Sequence, residues 1–366
     1  MTIGEKSGAE IAIVFGAGAS APPLKGQRAL VEGLLAARSQ PRIRKAQRYL
    51  RHAFPGLGTG DGTDGRIRFE DIVGPLEIAE SEEYWFHFGG RERDMRLVSN
   101  REVLDSLDTW VAMCLDPQDI PKPPSMAEHD KAAKGAAYLA FYSPSDTAPL
   151  PYARLVNFLD KSGLLPRTAF LSMNYDVLFD RVLRSSTARV PKYCIDAFYR
   201  EPPEPPTAAQ VLLLKLHGSL NWRVCDACHV LADLGEFVAW PGDRCPECRA
   251  MAARPMLIRP TLLKDFRHRV WKDLWRAAGH LLAEARTWVF VGYSLPMADV
   301  WMLRLLAQSA RSGGASLADR QIIVVNTDQD VRRRFSLLFP AAWFYPGSFD
   351  EWVTSCMTSG KLKAEK

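Results

Sequence analysis

Four cysteines set the first chemical constraint. Cys225 and Cys228 form one CxxC pair, Cys245 and Cys248 form another, and sixteen residues separate them. Each pair can supply two thiolates, and the spacing is that of a tetrahedral four-cysteine zinc ribbon. With four protein ligands no position remains for an activated water, so such a zinc would be structural. His229, beside the second cysteine, reads as a bystander, and Cys114, Cys194 and Cys356 as ordinary isolated cysteines.

Three further groups could do chemistry. In "FLSMNYDVLFD" (170–180), Asn174 and Asp176 follow an apolar run, although an asparagine or aspartate there also commonly caps the next helix. In "KLHGSLNW" (215–222), His217 ends another apolar run, where it is either a structural histidine or a base titrating near neutral pH. In "VFGAGAS" (14–20), Gly16 and Gly18 let a backbone turn approach either a phosphate or another stretch of chain. The acidic residue that a dinucleotide fingerprint carries about 20 residues later is missing.

These groups need elements to hold them. "IAIVF" (11–15), "TAFLS" (168–172), "VLLLKL" (211–216), "TWVFVG" (287–292) and "QIIVVN" (321–326) read as short buried strands. Helical spacing appears in "ALVEGLLAA" (29–37) and follows later strands in "YDVLFDRVL", "MADVWMLRLLAQS" and "DVRRRFSLLF". Apolar strands alternating with amphipathic helices predict an α/β fold with a parallel sheet covered on both faces. In such a sheet the glycine turn, the Asn/Asp pair and His217 all fall at the carboxyl edge, where ligands bind. Residues 40–165 read as a helical insertion carried by "FEDIVGPLEIAE", "NREVLDSLDTWVAMCL" and "AAKGAAYLAFY". Loops "PGLGTGDGTDG" (55–65), "DPQDIPKPPS" (116–125) and "EPPEPP" (201–206) separate elements, and residues 222–256 form the zinc-ribbon insertion.

The 366 residues, 47% hydrophobic and 24% charged with a net charge of +5, suit a globular protein with a substantial core. The basic run "RSQPRIRKAQRYLR" (38–51) reads first as a solvated helix face and only weakly as a nucleic-acid or subunit contact. No run approaches the roughly 18 apolar residues that a bilayer span requires. The cysteine usage suits a reducing compartment, so a cytoplasmic protein without a membrane partner is expected.

The motifs "GAGAS", "NYD", "LHG", the paired CxxC, "GYSL" and "VVN", in that order from about residue 11 to residue 328, resemble sirtuin domains. The resemblance implies a Rossmann-like NAD-binding fold of one domain, spanning residues 1–366, with a helical and zinc-bearing lobe. Position by position it places Gly16, Ala17, Gly18 and Ser20 around the dinucleotide, and Asn174 and Asp176 beside the nicotinamide and its ribose. Met173 stands where that stretch of the family carries glutamine. His217 matches the catalytic histidine, Gly292 and Ser294 the turn near the phosphates, and Asn326 a residue near the adenosine ribose.

Departures narrow the implied activity. Where deacylating sirtuins carry a "GIPDFR"-type loop this chain has "APPLKGQRAL", and where they carry "FGE" it has "LIRPTLLKDF", with Lys264 and Asp265. "FEDIVGPLE", "LHGSLNW" and "GYSLPMAD" are similar to the divergent bacterial sirtuin-like branch. That branch implies an NAD+ hydrolase releasing nicotinamide and ADP-ribose in antiphage defence, under control of a partner protein or homo-oligomer. An NAD-dependent protein-lysine deacylase and a non-catalytic NAD or ADP-ribose sensor remain as alternatives.

Overall fold

The computed structural model describes residues 8–20, 33–35, 37, 43–53, 73, 76, 100–115, 151–187, 189–195, 210–235, 244–258 (without 246 and 252), 269–312 (without 297 and 298) and 319–363. The expected loops at 55–65, 116–125 and 201–206, the helix "AAKGAAYLAFY", and Lys264 and Asp265 lie outside them. So do all of "APPLKGQRAL" and most of "FEDIVGPLEIAE" and "LIRPTLLKDF".

Strand β1 (Ile11–Phe15) is buried along its whole length, and so is β2 (Thr168–Ser172). Short runs that bury both faces are what a central parallel sheet requires. Further along the chain come β3 (Val190–Lys192), β4 (Gln210–Lys215), β5 (Gly218–Cys225), β6 (Leu231–Asp233), β7 (Ala253–Leu257), β8 (Thr287–Val291), β9 (Gln321–Val325) and β10 (Trp343–Tyr345). Seven of them form one sheet in the order β10-β9-β8-β1-β2-β4-β3, and every pairing in it is parallel. The remaining three form an antiparallel sheet, β6-β5-β7.

The strand order has a functional consequence. From β1 the chain moves to β2 and outward to β4 and β3, then returns to the other side of β1 as β8. The direction of winding therefore reverses at β1, and a parallel sheet opens a crevice at the carboxyl ends of the strands flanking such a point.

The described helices are α1 (Arg44–Ala53), α2 (Asn100–Leu115), α3 (Pro151–Lys161), α4 (Leu178–Thr187), α5 (Arg269–Glu284), α6 (Val300–Ser312), α7 (Gln329–Leu338) and α8 (Phe349–Ser359). Helix α3 packs on α4 and α8, while α5 packs on α6. Phe15 of β1 meets Tyr152 of α3, Phe179 of α4 and Phe349 of α8 with ring centroids 4.9–6.0 Å apart. Thus α3, the last part of the region read as an insertion, belongs to the sheet's own core.

A second, separate apolar cluster joins α1 to α2 through Ile43, Ala46, Leu50, Leu104, Leu107 and Val111. Arg44, Arg48 and Arg51 are exposed while Ala46, Tyr49 and Leu50 are buried, so the described part of the basic run, from Arg44 on, is an amphipathic helix with a solvated cationic face. Among the described residues, no helix is long and apolar enough to cross a membrane.

Beyond β1 the structure has a three-residue 3-10 turn, Ala17–Ala19, in place of an immediate α-helix. Within the helix expected over 29–37, residues 33–35 and 37 are described; 33–35 are helical and Ala37 is a bend. The 3-10 turn lies against the turn that follows β8. Gly18 N–H donates to Gly292 O at 3.0 Å, and a Cβ on Gly292 would sit 2.2 Å from Ala19 N. Gly292 also has φ +59°, a left-handed conformation that costs an L residue about 1–2 kcal/mol. Gly292→Ala is therefore expected to destabilise the fold by upwards of about 2 kcal/mol, read as a lowered urea midpoint. An unchanged midpoint would mean that the two turns do not make this approach.

Candidate active site and metal centre

Because all seven strands of the large sheet run the same way, the turns after β1, β2, β4, β8 and β9 share its carboxyl edge. Those turns carry Gly16–Ser20, Asn174 and Asp176, His217, Gly292 and Ser294, and Asn326 respectively. Short backbone bonds weld the turns together. Met173 N–H donates to Phe15 O at 2.9 Å, Leu216 N–H to Ser172 O at 2.8 Å, and Gly292 N–H to Val325 O at 3.0 Å.

Ser20 is the junction of the first group. Its Oγ donates to Asp176 Oδ2 at 2.9 Å and accepts from Asn174 Nδ2 at 3.0 Å. The Tyr152 hydroxyl lies 2.9 Å from the same oxygen, so one donor and two acceptor positions of the serine are all used. Asn174 Nδ2 also donates to Gly16 O at 2.9 Å. Asp176 Oδ1 accepts the Leu178 N–H at 3.1 Å and so caps α4, the ordinary role weighed for it. Burial holds the Asp176 carboxyl above the usual carboxylate range, against Lys215, the Leu178 N–H and the Ser20 hydroxyl, which favour its charged form.

Below this group lies a buried ion pair. Lys215 Nζ is 3.2 Å from Asp180 Oδ2, and both side chains are about 1% exposed. Lys215 also donates to the backbone carbonyl of Asp176, and Tyr193 donates to Asp180 Oδ1 at 2.5 Å. A charge inside an otherwise apolar strand, "VLLLKL", was the sequence signal for this pair.

His217 sits in the turn between β4 and β5, with Nδ1 3.2 Å from Met173 O and Nε2 3.4 Å from Asp299 Oδ1. Asp299 Oδ2 accepts the Tyr293 hydroxyl at 2.8 Å. Burial first and the Asp299 charge second push that hydroxyl well above the usual phenol range, so Tyr293 keeps the proton it donates. Sequence reasoning quoted "GYSLPMAD" without singling out Tyr293 or Asp299, and nothing in the local pattern marked Tyr152. Gly218 follows His217 with φ +87°, and a Cβ there would come within 2.1 Å of Met256 O, which accounts for the His-Gly pair.

The structure brings the remaining positions to the same edge, but at its rim. Ala17, Gly18 and Ser294 are exposed, and Asn326 is half-buried with Oδ1 accepting the Asp328 N–H at 3.0 Å. Gly16 and Gly18 have their missing side-chain volume taken up by the backbone of Gly292 and Tyr293. Close packing of backbone is thus what these two glycines do in this structure.

The four cysteines lie at the far end of the small sheet. Both CxxC segments turn tightly, with His229 N–H donating to Cys225 O at 2.8 Å and Arg249 N–H to Cys245 O at 3.0 Å. All four sulfurs lie within 4.8 Å of one another, and two pairs, Cys225 with Cys248 and Cys228 with Cys245, are 3.6 Å apart. Thiolates about 2.3 Å from a tetrahedral zinc would stand roughly 3.8 Å apart, so the cluster fits that ion. The Cys248 and Glu247 backbone N–H groups point at the Cys245 sulfur and draw its thiol down to about 7, toward the thiolate a metal needs. His229 is exposed and outside the cluster.

Residues 168–339 match the family model described as a SIR2-like domain, a span that contains Asn174, Asp176, His217, the four cysteines, Gly292, Ser294 and Asn326. No curated protein matches the chain. Among solved structures, one described as Sir2Tm bound to a propionylated peptide is 13% identical, with 96% of this chain and 94% of that chain covered at a TM-score of 0.43. Another, described as "Sir2-p53 peptide-NAD+", is 14% identical over 96% of this chain and 92% of that chain at a TM-score of 0.42. Likenesses this loose transfer no residue's role. Residues 168–339 of the chain are thus similar to a SIR2-like domain, within a mostly parallel α/β architecture.

Proposed function

We propose that this chain is an NAD+ hydrolase, cleaving the bond between nicotinamide and ribose C1′ to give nicotinamide and ADP-ribose, and that it serves as an NAD-depleting effector in bacterial antiphage defence. The observation that carries the chemistry is the hydrogen-bonded group of Ser20, Asn174 and Asp176 at the carboxyl edge, with His217 in another turn of the same edge, beside the strand where the winding reverses. The SIR2-like match over 168–339 supports NAD as the dinucleotide.

The reaction needs little from the protein beyond positioning and one base. Nicotinamide leaves as a neutral molecule, taking the electron pair of the C1′–N bond and passing through an oxocarbenium-like state. Water attacks C1′ and gives up a proton, so water and NAD+ yield nicotinamide, ADP-ribose and a proton. In this reading His217 accepts that proton, Asn174 orients ribose or water through its amide, and Asp176 supports the pocket electrostatically. Gly16, Ala17, Gly18, Ser20, Gly292, Ser294 and Asn326 form the dinucleotide's bed. The cysteine cluster holds a structural zinc that fastens the small sheet and takes no part in the chemistry.

His217→Ala and Asn174→Ala are expected to lower NAD cleavage about 10²–10⁴-fold in folded protein. Product analysis by mass spectrometry, with and without acyl-peptide and under activating conditions, checks this. Near wild-type turnover by both variants removes the two residues from the mechanism. Formation of O-acyl-ADP-ribose with little hydrolysis in the absence of peptide would replace the hydrolase by a deacylase.

Elemental analysis of protein purified without chelators should find one zinc per chain. Cys228→Ser should lose metal and thermal stability together, since ion binding at such a site is itself folding free energy. A stable, zinc-free wild type would exclude the ribbon.

A further inference from the structure

The environment of His217 assigns a role to Asp299, the last residue of "GYSLPMAD" and one that the motif alone does not single out. Its Nδ1 faces the carbonyl of Met173, which can only accept, so Nδ1 carries a hydrogen. Its Nε2 faces Asp299 Oδ1 at 3.4 Å, and an ionised carboxylate is also only an acceptor. The doubly protonated imidazolium is the form of the ring that satisfies both partners at once. A proton taken up at Nε2 would therefore face the Asp299 carboxylate.

Asp299 is well fixed for this task. It stands immediately before α6, its backbone carbonyl accepts the Leu303 N–H at 3.1 Å, and its second carboxylate oxygen is held by Tyr293. His217 and Asp299 side chains are each 6% exposed, so solvent screens their attraction little. The rings near His217 include Tyr175 from the turn after β2, at 6.3 Å between centroids, and Trp275 from α5, at 6.5 Å. Neither can neutralise an imidazolium. Asp176 is turned instead to Ser20, Leu178 and Lys215. At 3.4 Å the contact is longer than a direct N–H···O bond, so Nε2 can exchange Asp299 for water or a ribose hydroxyl at small cost.

We propose that Asp299 is the positioning residue of the site: with Met173 O it fixes the His217 ring, and its charge stabilises the imidazolium formed when Nε2 takes a proton. The proton passes from the attacking water or a ribose hydroxyl to Nε2, no other bond changes in that transfer, and the ring returns the proton to solvent before the next turnover. The proposal rests on the hydrolase reading for its catalytic consequence, but not for the pairing itself.

The test uses the full chain and Asp299→Asn. With the charge removed, NAD cleavage should fall about tenfold in kcat with KM nearly unchanged. A nearby anion favours the protonated ring, so its loss should move the acid limb of the pH–rate profile to lower pH by about one unit. NMR titration of the His217 imidazole, identified by its disappearance in His217→Gln, should show the same downward movement without any turnover. Tyr293→Phe keeps the Asp299 charge and removes the donor that draws on it, so the His217 titration should move the opposite way, to higher pH, while the rate falls as Asp299 loses its anchor, and this variant decides the matter if Asp299→Asn does not fold. A wild-type rate, or a reduced rate with an unmoved His217 titration, overturns the proposal. Absence of NAD cleavage by the wild type under activating conditions would sink the hydrolase reading alone, leaving the NMR titration to judge the pair.

Discussion

The candidate site hangs on a contact that contains no side chains. The turn after β1 and the turn after β8 meet backbone to backbone, with Gly16, Gly18 and Gly292 leaving no room for a Cβ at any of the three positions. Their strands already run side by side in register, from Ile11 opposite Thr287 to Phe15 opposite Val291. Gly18 N–H and Gly292 O extend that pairing past the end of the strands. On one side the contact delivers Ser20 to Asn174 and Asp176. On the other it launches Tyr293 and Asp299 toward His217. Two halves of a polar site are thus spaced by glycine, an economical way to bring them close without a flexible side chain between them.

Polar groups packed this densely must satisfy one another, because an unpaired donor or acceptor away from water costs about 1–3 kcal/mol. Ser20 meets the requirement with its complete set of bonds, and Lys215 meets it by answering both a carboxylate and the Asp176 carbonyl. The Lys215–Asp180 pair is best understood as a registration device. Its net contribution to stability is small, but removing either partner strands a buried charge, at a cost of about 3–5 kcal/mol. It fixes the end of β4 against the start of α4, and the turns beside these two ends carry His217 and Asp176.

How much of this was legible in the chain follows from which interactions are local. The strands at 11–15 and 168–172 are found as read, because a fully buried parallel strand leaves a continuous apolar run. β4, β8 and β9 each end one residue earlier than read, where Leu216, Gly292 and Asn326 already belong to the turns. The four cysteines declare themselves by spacing alone. The short strands β3, β6 and β10 have three residues each, too few to show any period. Tyr152 and Asp299 could not be found from their neighbours in sequence. Their partners stand 132 and 82 positions away, at Ser20 and His217, and only the sheet order brings them together. The glycine turn was ambiguous for a different reason: absence of a side chain serves a phosphate and a neighbouring backbone equally well, and at Gly16 and Gly18 backbone fills the space.

The cysteine cluster and His217 occupy opposite ends of one strand. β5 begins at Gly218, next to His217, and ends at Cys225, eight residues after the histidine. At about 3.3 Å per residue that is roughly 25 Å, too far for a metal at the cysteines to polarise anything bound at the histidine. Its influence is mechanical. β5 pairs with β7 from Gly218 opposite Leu257 to Cys225 opposite Ala253, with the register shifting between Ser219 and Arg223. Such an irregularity leaves the pairing free to slip unless both ends are pinned. Gly218 pins the near end, where its left-handed backbone and tight fit against Met256 O admit no other residue. At the far end, Cys225 and Cys228 face Cys245 and Cys248 from across the sheet, so an ion bound by all four would fix the register there. Ile258, one residue past β7, donates to His217 O and accepts from the Tyr175 hydroxyl. A slip at the cysteines would therefore reach the turn that aims the imidazole, so a metal bound there would govern the geometry of His217 from the far end of the strand.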